Sequence, residues 1–328
     1  MKKCLVLRSC LLLSLLCICA HIYVEFKDFW LKIWMKAAPS YLTRHRNVAK
    51  TTSASSDAAS TCCPAVKHHR KVHRWKITLE PWAAARHNLE EEANRFIKYI
   101  STPKVTCERR VSGMMDRDDE RRSWVLCLDS RFSLYQRIDS KHCRVYSLRL
   151  GSEDDGLERS LAVSGCEVHC FDPSIRGAHL QDSHMWFHKL SVDWRDPNPS
   201  RHKHSNTKKL ATILNDFGHR QVDVLKLDME SAEWKILENL ILEDVLGSIG
   251  LLLVEVHLHW AGFEVGGDEP SVVRYWFSLL RELERAHFLL YHSYSDPTKP
   301  HVFLQQNSQN TSSSYILGWV NTHFSPHT

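Results

Sequence analysis

Three stretches of this 328-residue chain carry side chains able to do chemistry at a spacing that brings them together. The first, Val145-Tyr-Ser-Leu-Arg-Leu-Gly151, is a strand-like run closed by glycine; Glu167-Val-His-Cys-Phe-Asp172 then supplies an acid 21 residues after that glycine. A glycine at the end of one strand lets the backbone approach a nucleotide-like ligand, and an acid ~20 residues on grips ribose hydroxyls. Gly151 and Asp172 are therefore the expected cofactor-binding pair, weighed against a plain tight turn and a solvated strand-end acid. A complete G-x-G-x-x-G, needed more by a pyrophosphate than by a nucleoside, is absent, which argues against NAD.

The second stretch, Val222-Asp-Val-Leu-Lys-Leu-Asp228-Met-Glu230-Ser-Ala-Glu233-Trp234, runs an apolar strand straight into three carboxylates and a helix. Asp228 and Glu230 are two apart and share a face while the chain stays extended. Glu233 falls in the first helical turn, where a carboxylate offsets the helix dipole. Capping by Asp228 or Ser231 explains part of this motif, but not an acid at both Asp228 and Glu230, so both are taken as site residues. In the third stretch Glu255, His257 and His259 alternate along one strand face. Imidazoles beside carboxylates bind metals or act as general bases. With 21 histidines in the chain, a polar rim is preferred here over a metal.

These residues need a scaffold that aligns strand ends. Strand-like runs occur at 124–128, 145–150, 167–171, 186–192, 222–227, 251–258, 288–293 and 315–320, with helical patterns at 157–163, 208–217, 232–242 and 271–286. Another helical pattern opens at Pro81 and closes near Pro103. The runs at 222–227 and 251–256 are almost continuously apolar, as in parallel strands buried on both faces. Alternating strands and helices predict a doubly wound, mostly parallel α/β sheet, which binds ligands at the carboxyl ends of its strands.

Charge divides the chain. Residues 1–76 hold 14 Lys+Arg against three Asp+Glu, and residues 77–328 hold 29 against 35. The basicity belongs to the leader, so a nucleic-acid partner, which needs a clustered basic face, is not expected. Lys2, Lys3 and Arg8 flank an apolar stretch, Leu5–Val24, about as long as the ~20 residues that cross a bilayer. Residues 1–24 are read as a signal-anchor, with a signal peptide cleaved after Ala20 as the alternative; positive residues stay cytosolic and place the remainder in the lumen. Residues 25–76 follow as a juxtamembrane segment and a basic, Ser/Thr-rich stalk, and 77–328 as the α/β domain. An oxidising lumen permits disulfides among Cys62, Cys63, Cys107, Cys127, Cys143, Cys166 and Cys170, with at least one left over. Asn310-Thr-Ser312 is a glycosylation sequon.

Lys226-Leu-Asp228-Met-Glu230-Ser-Ala-Glu233-Trp234 resembles the central motif of the FkbM-type class I methyltransferases. Matches continue at Val145–Gly151, Gly165–Ser174 and Glu255-Val-His257, and the resemblance extends from about Pro81 to Asn321. With the anchor and the approach through Cys107, Trp124–Asp129 and Cys143, the chain is similar to the methyltransferase-like protein 24 group. That resemblance implies a Rossmann-like seven-stranded sheet and S-adenosylmethionine as cofactor. Gly151 and Asp172 would hold the adenosine side, with Asp228 and Glu230 facing the methionine end or an acceptor substrate. It implies methyl transfer; a hydroxyl or carboxyl acceptor then suits transfer to oxygen before nitrogen, and a hydroxyl needs a general base within hydrogen-bond reach, for which His257, then His259 or Glu230, are the candidates. Two positions depart from the pattern: the first loop is Arg149-Leu-Gly-Ser-Glu-Asp-Asp155, and Ser231 stands where glycine usually follows the Asp-x-Glu. A Golgi type II glycosyltransferase with Asp228 and Glu230 as its metal motif, and a non-catalytic domain of the same fold, are the alternatives.

Overall fold

The computed structural model describes residues 76–112, 124–151, 155–181, 184–196, 207–261, 267–307 and 311–325. The expected anchor, the stalk apart from Lys76, and Asn310 of the sequon lie outside them. No helix among the described residues is long and apolar enough to cross a membrane.

The chain order is α1 (Leu89–Ile100), β1 (Arg110–Ser112), β2 (Val125–Cys127), α2 (Leu134–Asp139), β3 (Arg144–Arg149), α3 (Gly156–Val163), β4 (Glu167–Phe171), β5 (His179–Gln181), β6 (Met185–His188), β7 (Ser191–Val192), β8 (Thr207–Lys208), α4 (Leu210–Phe217), β9 (Val222–Asp228), α5 (Glu233–Leu242), β10 (Ile249–His257), α6 (Glu269–Arg285), β11 (Phe288–Tyr294), β12 (Val302–Phe303), β13 (Gln306–Asn307) and β14 (Ser314–Asn321). The main sheet runs β11-β14-β10-β9-β3-β4-β6-β5. Its centre, β10-β9-β3-β4-β6, is wholly parallel, and β14 is antiparallel to both of its neighbours. Seven strands match the expectation; the eighth, β5, is a short antiparallel edge strand against β6.

Alternation along each strand sends successive side chains to opposite layers. On β3, Val145 joins a core with Leu157, Leu161, Val168, Val224 and Leu253, whereas Tyr146 and Leu148 join one with Phe96, Leu225, Trp234, Val254 and Trp276. Helices thus cover both faces: α2 and α3 on one, α1, α4, α5 and α6 on the other. Both faces of β9 and β10 are buried, which is why their sequences read as largely apolar runs, interrupted only by Asp223 and Lys226 in β9 and by Glu255 in β10 before their carboxyl ends.

Three expectations are corrected. Residues 81–88 are not helical: Asn88 caps α1 by accepting from the Glu91 amide, and Trp82 stacks on His87 instead. The run at 124–128 forms β2, which pairs with β1 outside the main sheet and is docked by the Tyr291 hydroxyl donating to the Val125 carbonyl. The run at 186–192 breaks in two, since β6 ends at His188 and β7 pairs with β8 in a separate ladder. Disulfides join Cys107 to Cys127 and Cys143 to Cys166, while Cys170 is a buried free thiol.

Candidate functional site

The expected site residues meet at the carboxyl edge of the parallel strands. Gly151 lies just beyond β3 with φ +67, and a Cβ there would meet only the Ser174 hydroxyl, at 3.9 Å, so the approach is open. Its amide donates to Asp172 Oδ1 at 3.4 Å. Asp172 is buried, not a solvated strand-end acid. Oδ1 also accepts from the Ser174 amide and hydroxyl at 2.8 and 2.6 Å, and Oδ2 accepts from Arg149 Nε at 3.3 Å. Burial pushes this carboxyl up, but the Ser174, Arg149 and Gly151 bonds outweigh it and hold the acid below its ordinary range.

Arg149 is the residue that sequence reasoning passed over. A charge at the carboxyl end of β3, two residues before the closing glycine, was the available signal. Its Nη1 is buried with no partner among the described residues. Asp172 Oδ2 has spare acceptor capacity beside it. A free N–H next to an under-used carboxylate oxygen is a donor–acceptor pair of the kind a vicinal diol satisfies, so these residues fit the ribose of an adenosine cofactor.

Arg149 is also the ladder partner of Asp228, so this corner adjoins the second cluster. There the chain passes from β9 to α5 in four residues, with Glu230 at φ +49 and Ser231 at φ +78. Left-handed backbone at two successive non-glycine residues is strained. Capping does not explain the motif: Ala232 is the N-cap, no side chain caps α5, and the buried Ser231 hydroxyl has no partner among the described residues. Asp228 is half-buried and Glu230 exposed on the rim.

Glu233 does more than offset a dipole. Fully buried, its Oε1 accepts from the His257 backbone amide at 2.7 Å and lies 3.2 Å from His257 Nδ1, while Trp234 Nε1 donates to the His257 carbonyl at 3.1 Å. The first turn of α5 thereby grips the end of β10 and orients the imidazole. On the other side, His257 Nε2 stands 3.8 Å from Glu255 Oε1. Asp228, Glu255 and His257 offer atoms within 4.8 Å of one another. Positive charge on the chain already answers these carboxylates, from His257 and from Lys299, 3.7 Å from Glu255. His259 lies past the end of β10, half-buried, its ring centroid 5.9 Å from that of His257.

The electrostatics separate the roles. Burial and the neighbouring Glu255 raise Asp228 to about 6. Burial disfavours charge on His257, but the Glu233 hydrogen bond and the surrounding carboxylates prevail and lift it to about 9. His257 is thus an imidazolium at neutral pH, with no lone pair for an incoming proton. His259, lowered by burial and by the His257 charge, is a neutral imidazole.

Residues 64–311 match a family described as a methyltransferase domain. The chain is 54% identical over 267 residues to the human protein named "Probable methyltransferase-like protein 24", covering 80% of this chain and 73% of that one. The rat protein of the same name is 54% identical over 269 residues, covering 80% and 74%. Among solved structures, an uncharacterized protein from Listeria monocytogenes serotype 4b aligns over 61% of this chain and 70% of its own, at 11% identity and a TM-score of 0.28, too low to bear on the fold. Strand-end chemistry, sheet order and relatives converge: this chain belongs to the methyltransferase domain family.

Proposed function

We propose that the protein transfers a methyl group from S-adenosylmethionine to a hydroxyl of an acceptor within the secretory pathway. The observation that carries this reading is the juxtaposition, across the Arg149–Asp228 ladder pair, of a diol-type corner at Gly151 and Asp172 with a proton-handling cluster at Asp228 and His257. Gly151 and Asp172 would hold the adenosine side, and Glu230 on the rim the methionine end. When bound, the cofactor supplies an electrophilic methyl on a leaving group that is already positively charged.

The chain must therefore position an oxygen in line and take its proton, and positioning is the larger part of the barrier. Asp228, near 6, is an ionised carboxylate at neutral pH that is still basic enough to accept the hydroxyl proton as the new bond forms. The His257 imidazolium, held by Glu233, keeps Asp228 anionic, and His259 stands at the rim as a neutral acceptor for relay to solvent. Two disulfides in the folded domain and the apolar stretch behind Lys2 and Lys3 support an oxidising, lumenal setting for a type II membrane or secreted protein. Membership of the methyltransferase family sets the glycosyltransferase alternative aside.

The test is calorimetry of S-adenosylmethionine on the full chain, with labelled methyl transfer to hydroxyl-bearing acceptors. Binding that Asp172→Ala abolishes, with turnover that Asp228→Asn removes, is expected. No binding, or binding indifferent to Asp172→Ala, sinks the proposal; binding without turnover on any acceptor points to the non-catalytic alternative.

A further inference from the structure

A second cluster of ligand-type side chains lies at the opposite, amino-terminal edge of the sheet. Glu167 is the first residue of β4 and His169 follows two positions on, so both project to one face; His219 lies between α4 and β9. Glu167 Oε1 is 2.9 Å from His169 Nε2 and 3.5 Å from His219 Nε2, and the three ligand atoms all lie within 4.8 Å of one another. Nitrogen and oxygen ligands ~2.0–2.2 Å from a tetrahedral ion stand roughly 3.3–3.5 Å apart, so the group is one small adjustment from a coordination shell.

What lies behind these atoms is the stronger observation. His169 Nδ1 is 2.9 Å from His188 Nε2, and His219 Nδ1 is 2.6 Å from the Tyr146 hydroxyl. Glu167 Oε2 accepts from Arg144 Nε at 2.9 Å, with Arg144 Nη2 2.7 Å from the same oxygen. Each candidate ligand thus has its outer polar atom held and its inner atom turned to a common point, the outer-shell pattern that orients metal-binding histidines and carboxylates. The support is rigid: His169 is buried and stacks on Trp186 and His188. Arg144 and Glu167 are ladder partners, and the Cys143–Cys166 disulfide pins the residues just before them.

We infer that Glu167, His169 and His219 bind a divalent cation of the zinc class, tying the start of β4 to the connection between α4 and β9. Two imidazoles and one carboxylate suit such a borderline ion better than magnesium or calcium. A third of the Glu167 side chain is exposed, which gives the ion its entry and a water its place as fourth ligand. The site is separate from the Gly151–Asp228 edge and stands whether or not methyl transfer does.

Zinc titrated calorimetrically into the full chain, stripped with chelator and desalted, tests this, alongside the absorption spectrum of a cobalt-loaded sample. Since the chain has other histidines, the difference between variants is what is read. His219→Ala and Glu167→Gln are each expected to lose one tight zinc equivalent, the zinc-dependent rise in Tm and the tetrahedral cobalt bands. Tyr146→Phe keeps the ring and the core, and is expected to weaken that equivalent by about 10–100-fold. Equal tight binding by wild type, Glu167→Gln and Tyr146→Phe, or no tight equivalent in wild type, overturns the site and leaves the cluster as a hydrogen-bonded network.

Discussion

At the scale of single residues, the proposed chemistry rests on two protons. Asp228 works as a base only when ionised and His257 stabilises it only when protonated, so kcat/KM is expected to rise through about pH 6 and fall through about pH 9. A pH–rate profile measures this, and Asp228→Asn should remove the acidic limb along with most of the rate. Glu233→Gln weakens the bond that holds the His257 proton, so the basic limb should move down. Stability follows the same sign. The folded state keeps the His257 proton up to about 9 and the unfolded chain only to ~6.5, so the pair's contribution is full below ~6.5 and fades as pH rises through 9. The Tm difference between wild type and Glu233→Gln should therefore narrow as pH rises. The positions of Asp172 and Asp228 at the ends of β4 and β9 were legible in the sequence because acids closing largely apolar strands stand out. Glu233 was not legible as the holder of His257, because that contact joins residues 24 apart through tertiary packing. Arg149 was visible as a charge at the end of β3, but its contact with Asp172, 23 residues on, comes from tertiary packing.

At the scale of elements, the turn from β9 to α5 is where local and functional demands conflict. Ser231 occupies a left-handed position, φ +78, with its hydroxyl buried and unpartnered among the described residues. Ser231→Gly relieves both and is expected to stabilise the fold by about 1 kcal/mol, read as a higher midpoint in urea. The departure from the resembled motif is thus a cost in backbone strain. Between α3 and β9, buried Lys226 pairs with buried Glu158 at 2.8 Å, and Ser147 donates to the same carboxylate. Lys226→Met strands a buried charge and should cost about 3–5 kcal/mol in denaturant melts, most of it recovered in a Lys226→Met, Glu158→Leu double variant. Periodicity revealed β9, β10 and α6, whose burial is continuous or strongly one-sided. It misjudged residues 81–88, where the Asn88 cap overrides an apolar pattern that extends beyond the helix.

Over the whole molecule, a basic stretch, residues 1–76, precedes an acidic remainder, residues 77–328. The fold class was readable because parallel strands buried on both faces leave a simple sequence signature. The edge strand β5 and the small β1–β2 and β7–β8 ladders were not, since their pairing depends on partners that local sequence does not specify. The Cys143–Cys166 bond, described above as a fastening at one end of β3 and β4, also closes a covalent ring. That ring contains Gly151 and the whole first loop, so the segment expected to meet the cofactor has no free route out of the molecule. A protease that cuts once between Arg144 and Gly165 should leave one band on a non-reducing gel and two after reduction. The cut chain would stay a single molecule until it reached a reducing compartment.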